Sequence, residues 1–156
     1  MKTRIQNIHT TAGETIRHFL GDTESILFFD IETTGLSPKN ASIYLIGAAF
    51  LQDKKWTLQQ WFAENTAEEE AILDAFLKFA APYRKLVHFN GTTFDVPFVQ
   101  AKCKKYGLDS PFPQMEQTDI YRQISPLKNL LKLPNCKQKT LEEYLGLNRE
   151  DPFTGG

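Results

Sequence analysis

The chain has 156 residues, of which 41% are apolar and 24% are charged; this suits one globular domain with a real core and excludes two ordinary domains. The formal net charge of −1 excludes an overall electric field that would by itself attract nucleic acid. No apolar run approaches the length of a membrane span and the N-terminus lacks a signal-peptide core, so we expect a cytoplasmic protein without a membrane partner.

Charge is distributed unevenly along the chain. Residues 1–81 carry 7 Lys or Arg and 11 Asp or Glu, a net −4, whereas residues 82–156 carry 11 and 8, a net +3. The stretch 120–140 contains no acid and five basic residues: Arg122, Lys128, Lys132, Lys137 and Lys139. Such a strip either follows a phosphate backbone or forms an ordinary solvated face, and both interpretations stay open. Cys103 and Cys136 have no metal-binding spacing and favour a reducing compartment.

The first 24 residues are predicted to be peripheral. Residues 1–9 look like a loose lead-in, and Thr11 to Glu14 has the spacing of a capping box that opens a short helix ending at Gly21. We therefore divide the chain into a lead-in with a peripheral helix at 1–24 and a single domain at 25–156.

The remaining pattern predicts an α/β domain. Three successive strands, at 25–31, 42–50 and 56–62, come before any core helix, and the second and third form a hairpin or meander. Later segments alternate in type: a helix from 68 to Pro82, a strand at 85–89, a helix from 95 to 107, a short edge strand entering a helix at 117–121, and a helix opened by a capping box at Thr140 and closed at Gly146.

Two carboxylates stand at the end of the first strand of this domain. The apolar run from 26 to 29 continues into Asp30, Ile31 and Glu32, and because side chains alternate along a strand, both acids fall on one face. Adjacent carboxylates beside an apolar run raise each other's pKa and are costly, unless a divalent cation lies between them. Gly35 then allows a close backbone approach by a ligand.

A second polar motif follows the strand at 85–89. It runs from Asn90 and Gly91 through Phe94 to Asp95, where a helix begins. Asp95 thus lies near a helix N-terminus beyond a strand end, the usual place for ligand sites in α/β sheets. His88 lies between apolar residues on that strand, which favours a core position over a role as general base.

The two motifs together resemble those of the DEDD 3′–5′ exonucleases, which have a ribonuclease H-like fold. The resemblance covers about residues 25–150 and is greatest to the bacterial YprB-type proteins, relatives of the proofreading domain of family B DNA polymerases. It implies a central mixed β-sheet, three antiparallel strands followed by parallel strands, flanked by helices. It also implies hydrolysis of phosphodiester bonds from a single-stranded 3′ end of DNA or RNA by two Mg²⁺ or Mn²⁺ ions.

The resemblance also implies the roles of particular residues. The acids Asp30, Glu32 and Asp95 would be metal ligands and catalytic, and hard cations such as these prefer carboxylate oxygens. The residues that match nucleotide-contacting positions of the family are Thr33, Thr34, Gly35, Leu36, Asn90 and Phe94.

The family's third motif is not found. It needs a fourth acid preceded by a His or Tyr, but Asp151 lies in an Asp-Pro loop and Tyr144 is seven positions before it. We therefore expect that the domain lacks its final helix. The alternative is a catalytically inactive nucleic-acid-binding module with the same fold, while a nucleotide-binding α/β domain is disfavoured because no Gly-rich phosphate loop is present.

Overall fold

The computed structural model describes residues 1–10 and 13–147. Its strands are β1 (Lys2–Ile8), β2 (Ile26–Thr33), β3 (Ile43–Gln52), β4 (Lys55–Phe62), β5 (Lys85–His88) and β6 (Glu116–Asp119). Its helices are α1 (Gly13–Leu20), α2 (Glu69–Ala80), α3 (Asp95–Tyr106), α4 (Ile120–Ile124) and α5 (Gln138–Tyr144). None of the helices in these ranges is long and apolar enough to cross a membrane.

The strands form one mixed sheet in the order β1-β4-β3-β2-β5-β6. Strands β2, β3 and β4 are an antiparallel meander, and β5 and β6 run parallel to β2. The α/β architecture predicted from the sequence, three antiparallel strands followed by parallel ones with flanking helices, is confirmed. Because β2 lies at the centre and β5 beside it, the two sequence motifs end at the same edge of the sheet.

The expectation of a loose lead-in at residues 1–9 is wrong, because β1 adds a sixth strand. It pairs antiparallel with β4 from Lys2 opposite Phe62 to Ile8 opposite Trp56. Every residue of β1 is exposed, so the strand buries no apolar face and shows no alternating hydrophobic pattern. Its backbone hydrogen bonds to β4, rather than its side chains, determine its conformation.

The last helix of the described residues, α5, also begins earlier than the capping box at Thr140 predicts. Helix α5 starts at Gln138, and Asn135 accepts hydrogen bonds from the Lys137 N–H at 3.0 Å and from the Thr140 hydroxyl at 2.7 Å. Thr140 thus lies inside the helix and holds it to the preceding loop. The hydrogen-bonding side chain just before the helix is therefore that of Asn135, five residues before the Thr140 that the sequence pattern indicates.

Alternation along β2 divides its side chains between two faces of the sheet. Leu27, Phe29 and Ile31 belong to the main hydrophobic core with residues of α2 and α3. The intervening residues Asp30 and Glu32 therefore lie on the opposite face. The face that bears the two acids is thus the one that these helices leave uncovered.

Helix α1 packs against one end of this acidic face. On the same face Phe28 contacts Trp56 edge to face with ring centroids 5.7 Å apart. A Cβ at Gly13 would lie 3.3 Å from the Trp56 indole nitrogen, so the first residue of α1 lies directly on this ring. The indole thus joins α1 to the sheet.

A buried ion pair connects the helices to the loop after β2. Glu69 is fully buried and Lys102 is 2% exposed, with 3.0 Å between the Lys102 ammonium and a Glu69 oxygen. Lys102 also donates to the carbonyl of Ala41 at 2.5 Å, and Glu69 accepts from the N–H of Ile43 at 2.7 Å and from the hydroxyl of Tyr106 at 2.5 Å. The pair therefore fixes the start of β3 against α2 and α3.

The hydrogen bonds determine the charge state of Glu69. Burial opposes ionisation, but the donors Tyr106, Ile43 and Lys102 outweigh it and hold the pKa of Glu69 below its ordinary value. The carboxylate is therefore ionised and depends on its partners.

We predict that Lys102→Met lowers the free energy of unfolding by roughly 3 kcal/mol, because the buried Glu69 carboxylate loses its one buried cation and keeps only the exposed Lys105 ammonium at 3.5 Å. Urea denaturation would measure the loss. Lys104→Met removes an exposed lysine of the same helix and should change the free energy little. Equal stability of the two variants would contradict a structural role for the buried pair.

Candidate active site

The two motifs bring Asp30 and Asp95 together. Asp30 extends from the central strand β2, and Asp95 is the first residue of α3 and only 5% exposed. The backbone N–H of Ile31 donates to Asp95 Oδ1 at 3.1 Å, and the two carboxyl groups are within hydrogen-bonding reach of each other. Residues 65 positions apart in the chain thus form a carboxylate pair at the edge of the sheet.

Each carboxylate changes the pKa of its neighbours. Asp30 is accessible to solvent, yet the surrounding protein displaces enough of its hydration to raise its pKa to about 6, with a further contribution from the negative charge of Asp95. Burial also raises the pKa of Asp95, and the charge of Glu32 adds to this effect. The pKa of Glu32 is raised by partial burial and by Asp30. No lysine or arginine is among the groups that act on these three acids in the described structure.

Glu32 is less closely associated with Asp30 and Asp95 than these two acids are with each other. It lies on the same face of β2, one pleat beyond Asp30, and its side chain is exposed. Within residues 1–10 and 13–147, no three His, Cys, Asp or Glu side chains form a group that could already enclose a metal ion. The described acids thus provide a tight pair with a third carboxylate nearby.

The segment after Glu32 is a rigid turn with one apolar side chain exposed. The Thr33 hydroxyl donates to the Gly35 carbonyl at 2.9 Å, and Thr34 is bonded to Ser42 both through its own N–H and through its hydroxyl, at 2.9 Å each. Leu36 is 87% exposed at the end of this turn. An apolar side chain this exposed, next to a turn fixed by these bonds, is available for a ligand.

The turn of the second motif is held by its own polar groups. Asn90 has a positive φ of 57°. The Thr93 hydroxyl lies within hydrogen-bond distance of two oxygens of Asn90, the backbone carbonyl at 3.0 Å and the side-chain Oδ1 at 2.9 Å, and donates to them. Phe94 precedes α3, and its ring lies 5.5 Å from that of Phe98. The Asn90 side chain therefore stabilises the turn that carries Asp95.

Asp119 holds this turn in place by accepting hydrogen bonds from its backbone, a role that was not predicted from the sequence. It is 6% exposed and accepts hydrogen bonds from the N–H groups of Asn90 at 2.8 Å, Thr92 at 3.3 Å and Tyr121 at 3.0 Å. Burial opposes its ionisation, but the bonds from Thr92 and Asn90 hold its pKa below the ordinary value. The signal in the sequence was an Asp directly before a helix, the preferred N-cap residue.

His88 occupies the core position that the sequence predicts. It is 3% exposed, and burial lowers its pKa, so the neutral ring is favoured. A Cβ on Gly91 would lie 2.7 Å from the His88 ring, so only a glycine allows the backbone of the turn to pass this close to the ring. Asp151 and the rest of the expected third-motif region, 148–156, lie outside the described residues.

Solved structures of exonuclease I share this fold. E. coli exonuclease I in complex with a dT13 oligonucleotide is matched with a TM-score of 0.59 and 13% identity, over 79% of this chain and 36% of that one. The zinc-ion-bound form of the E. coli exonuclease I complex with single-stranded DNA is matched with a TM-score of 0.62 and 14% identity, over 83% and 37%. At this identity the likeness concerns the fold.

Two curated proteins that are similar to this chain in sequence are DNA polymerases. The chain is 29% identical over 138 residues to the PolC-type DNA polymerase III of Caldanaerobacter subterraneus subsp. tengcongensis, across 74% of this chain and 9% of the polymerase. It is 26% identical over 141 residues to that of Ureaplasma parvum serovar 3, across 75% and 10%. The chain thus spans about a tenth of the length of these curated relatives.

The family comparison covers most of the chain. The model described as RNase_H superfamily matches residues 27–156, which include both motifs. The match agrees with the mixed sheet and with the likeness to exonuclease I. The chain therefore belongs to the ribonuclease H superfamily, and its similarity is to the DEDD-type 3′–5′ exonucleases within it.

Proposed function

We propose that this domain is a 3′–5′ exonuclease that hydrolyses phosphodiester bonds at a single-stranded end of DNA or RNA with two Mg²⁺ or Mn²⁺ ions. The observation that supports it most is the pairing of Asp30 with Asp95 at the sheet edge. Two neighbouring carboxylates, with no cationic side chain acting on them in the described ranges, repel each other once both are ionised unless a cation is bound.

The donor set fits hard divalent cations. Asp30 and Asp95 would hold both ions, and Glu32 would complete the coordination on the same face. When bound, such ions stabilise negative charge on the attacking and leaving oxygens of a phosphodiester. We further propose that the fourth carboxylate and the general base come from outside the described residues, since no further acid approaches the pair within them.

The remaining motif residues would position the substrate. Leu36 would contact the terminal base or sugar, because it is held in solvent beside the acids. Thr33, Thr34 and Gly35 would shape the turn that presents it. Asn90 and Phe94 would keep the Asp95 turn in place and border the nucleotide.

We expect Asp30→Asn to change how stability depends on pH when no divalent metal is present. The pKa of Asp30 is about 6 in the fold and near 3.8 in the unfolded chain. The stabilisation due to its protonated form is complete below about pH 4 and is lost as the pH rises through about 6. The wild type should therefore lose stability relative to Asp30→Asn between pH 4 and 7, as measured by urea denaturation in EDTA.

The control for this measurement is Asp109→Asn, at an exposed aspartate after α3. It should follow the wild-type pH curve. Parallel curves for all three proteins would contradict the carboxylate repulsion.

Asp30→Asn and Asp95→Asn should each lower hydrolysis by at least about 100-fold, because each removes an oxygen ligand of the cations. The assay follows 3′-labelled single-stranded DNA and RNA with Mn²⁺, on this chain and on one continued past Gly156. Calorimetric titration with Mn²⁺ should show weakened metal binding in both variants. Oligonucleotide binding without hydrolysis in either chain would instead indicate a nucleic-acid-binding module.

Leu36→Ala should weaken binding of single-stranded oligothymidylate about fivefold, equivalent to roughly 1 kcal/mol, because it removes an apolar contact to the terminal nucleotide. Fluorescence anisotropy in Ca²⁺ would measure the affinity. Leu130→Ala is the matched control, since Leu130 is likewise a highly exposed leucine, at 77% against 87% for Leu36. Equal affinities of the two variants would exclude Leu36 from the nucleotide site.

A further inference from the structure

A cleft lies on the same sheet face as the two acids of β2. Its volume is about 500 Å³, and it is lined by Lys2, Thr3, Arg4, Leu45, Gln60 and Phe62. These residues come from β1, β3 and β4, and none of them was assigned a function from the sequence. The strand that looked like a lead-in thus supplies half of the lining.

The cleft continues the rows of residues that contain the acids. In one row Asp30 is opposite Gly47 on β3, Gly47 is opposite Gln60 on β4, and Gln60 is opposite Arg4 on β1. Directly paired residues of antiparallel strands project from the same face. In the next row the corresponding residues are Glu32, Leu45, Phe62 and Lys2.

Gly47 leaves the path between the acids and the cleft open. A Cβ built on Gly47 would meet no atom within 4 Å, so space exists beside Asp30. Neighbouring strands are about 4.8 Å apart, which places Arg4 about 14 Å from Asp30. Stacked nucleotides advance about 3.4 Å along a strand, so this distance is a span of a few nucleotides.

The side chains of the cleft suit a single nucleic-acid strand. Arg4 makes no ion pair within the described residues, and its guanidinium is exposed. Lys2 is already bound to Glu64 at 2.6 Å, so Arg4 provides the available positive charge. Phe62 lies directly opposite Lys2, contacts Tyr44 edge to face and is still 39% exposed, so part of its ring is accessible. A cation beside an accessible aromatic ring is the combination that binds phosphate and stacks a base.

We infer that this cleft is a second binding subsite, which holds the single-stranded substrate several nucleotides away from the Asp30–Asp95 pair. The inference rests on the proposed function and adds to it the course of the strand across β3, β4 and β1. Arg4 binds a phosphate, Phe62 contacts a base, and the open space at Gly47 lets the strand pass.

The test compares oligothymidylates of two lengths by fluorescence anisotropy in Ca²⁺. Arg4→Gln should weaken binding of a strand of about eight nucleotides roughly fivefold and reduce the salt slope of its affinity by about 0.7, the value for one lost phosphate contact on a single strand. A dinucleotide should bind Arg4→Gln and the wild type equally, because it does not span the distance to β1.

Two further variants make the test specific. Arg84→Gln removes the same charge from an exposed arginine directly before β5, at the opposite end of that strand from the acids, and should leave both affinities unchanged. Gly47→Val should weaken binding of the longer strand while the protein stays folded, because the new side chain occupies free space and valine suits a strand.

The outcomes separate this inference from the proposed function. If the longer strand binds Arg4→Gln as tightly as the wild type while Asp30→Asn abolishes hydrolysis, the subsite is wrong and the exonuclease stands. Equal losses in Arg4→Gln and Arg84→Gln would also overturn the subsite, since only net charge would matter. A wild type that binds neither oligonucleotide would overturn both. If Arg4→Gln changed only the oligomeric state in sedimentation, the cleft would be a protein interface and the subsite would fall.

Discussion

The hydrogen bond from the Ile31 N–H to Asp95 connects the two halves of the site. It ties the first turn of α3 to the central strand at the point where Asp30 leaves that strand. A carboxylate that accepts a backbone bond is fixed in orientation, so Asp95 cannot turn away from the neighbouring acid to relieve their repulsion. Desolvation, together with this fixed proximity, raises the pKa of Asp30. The site therefore stores a local instability that a bound cation would remove, and the hydrophobic core must supply the stability that keeps it assembled.

Two buried polar groups hold the surrounding turns in place. Asp119 accepts hydrogen bonds from three backbone N–H groups and so fixes the turn before Asp95. On the other side the Glu69–Lys102 pair binds the backbone at Ala41 and Ile43, which limits where the turn containing Leu36 can lie. Neither group faces the acids of the site. Their role is positional, and a buried charge is suited to it because its hydrogen bonds have strict geometry.

The sequence predicts strands and helices well where apolar residues recur with a regular period. It predicts them less well where hydrogen bonds alone determine where an element forms or begins. The strands β2 to β5 and the helices α2 and α3 were all recognised because each buries an apolar side. Strand β1 was missed because it buries nothing, and the start of α5 was misplaced because Asn135, a loop residue, determines it. That Asp30 and Asp95 belong to one site was implied by the family resemblance, and the structure brings the two side chains together at one sheet edge. The burial of Glu69 could not be inferred, since its partner Lys102 is 33 residues away and lysine is rarely buried.

The misjudged strand also changes how the acidic face is understood. Helix α1 covers one end of this face through the contact between Gly13 and Trp56, whereas the rows of Asp30 and Glu32 continue openly across β3 and β4. Charged residues on an edge strand protect a sheet from pairing with other chains, and the exposed Lys2 and Arg4 of β1 serve that purpose regardless of any ligand. The same residues give the face its only basic border within the described rows that contain Asp30 and Glu32. A polyanion attracted to a cation at the acids would meet repulsion from the acids themselves, and a basic border at several nucleotides' distance offsets it without competing for the metal ligands.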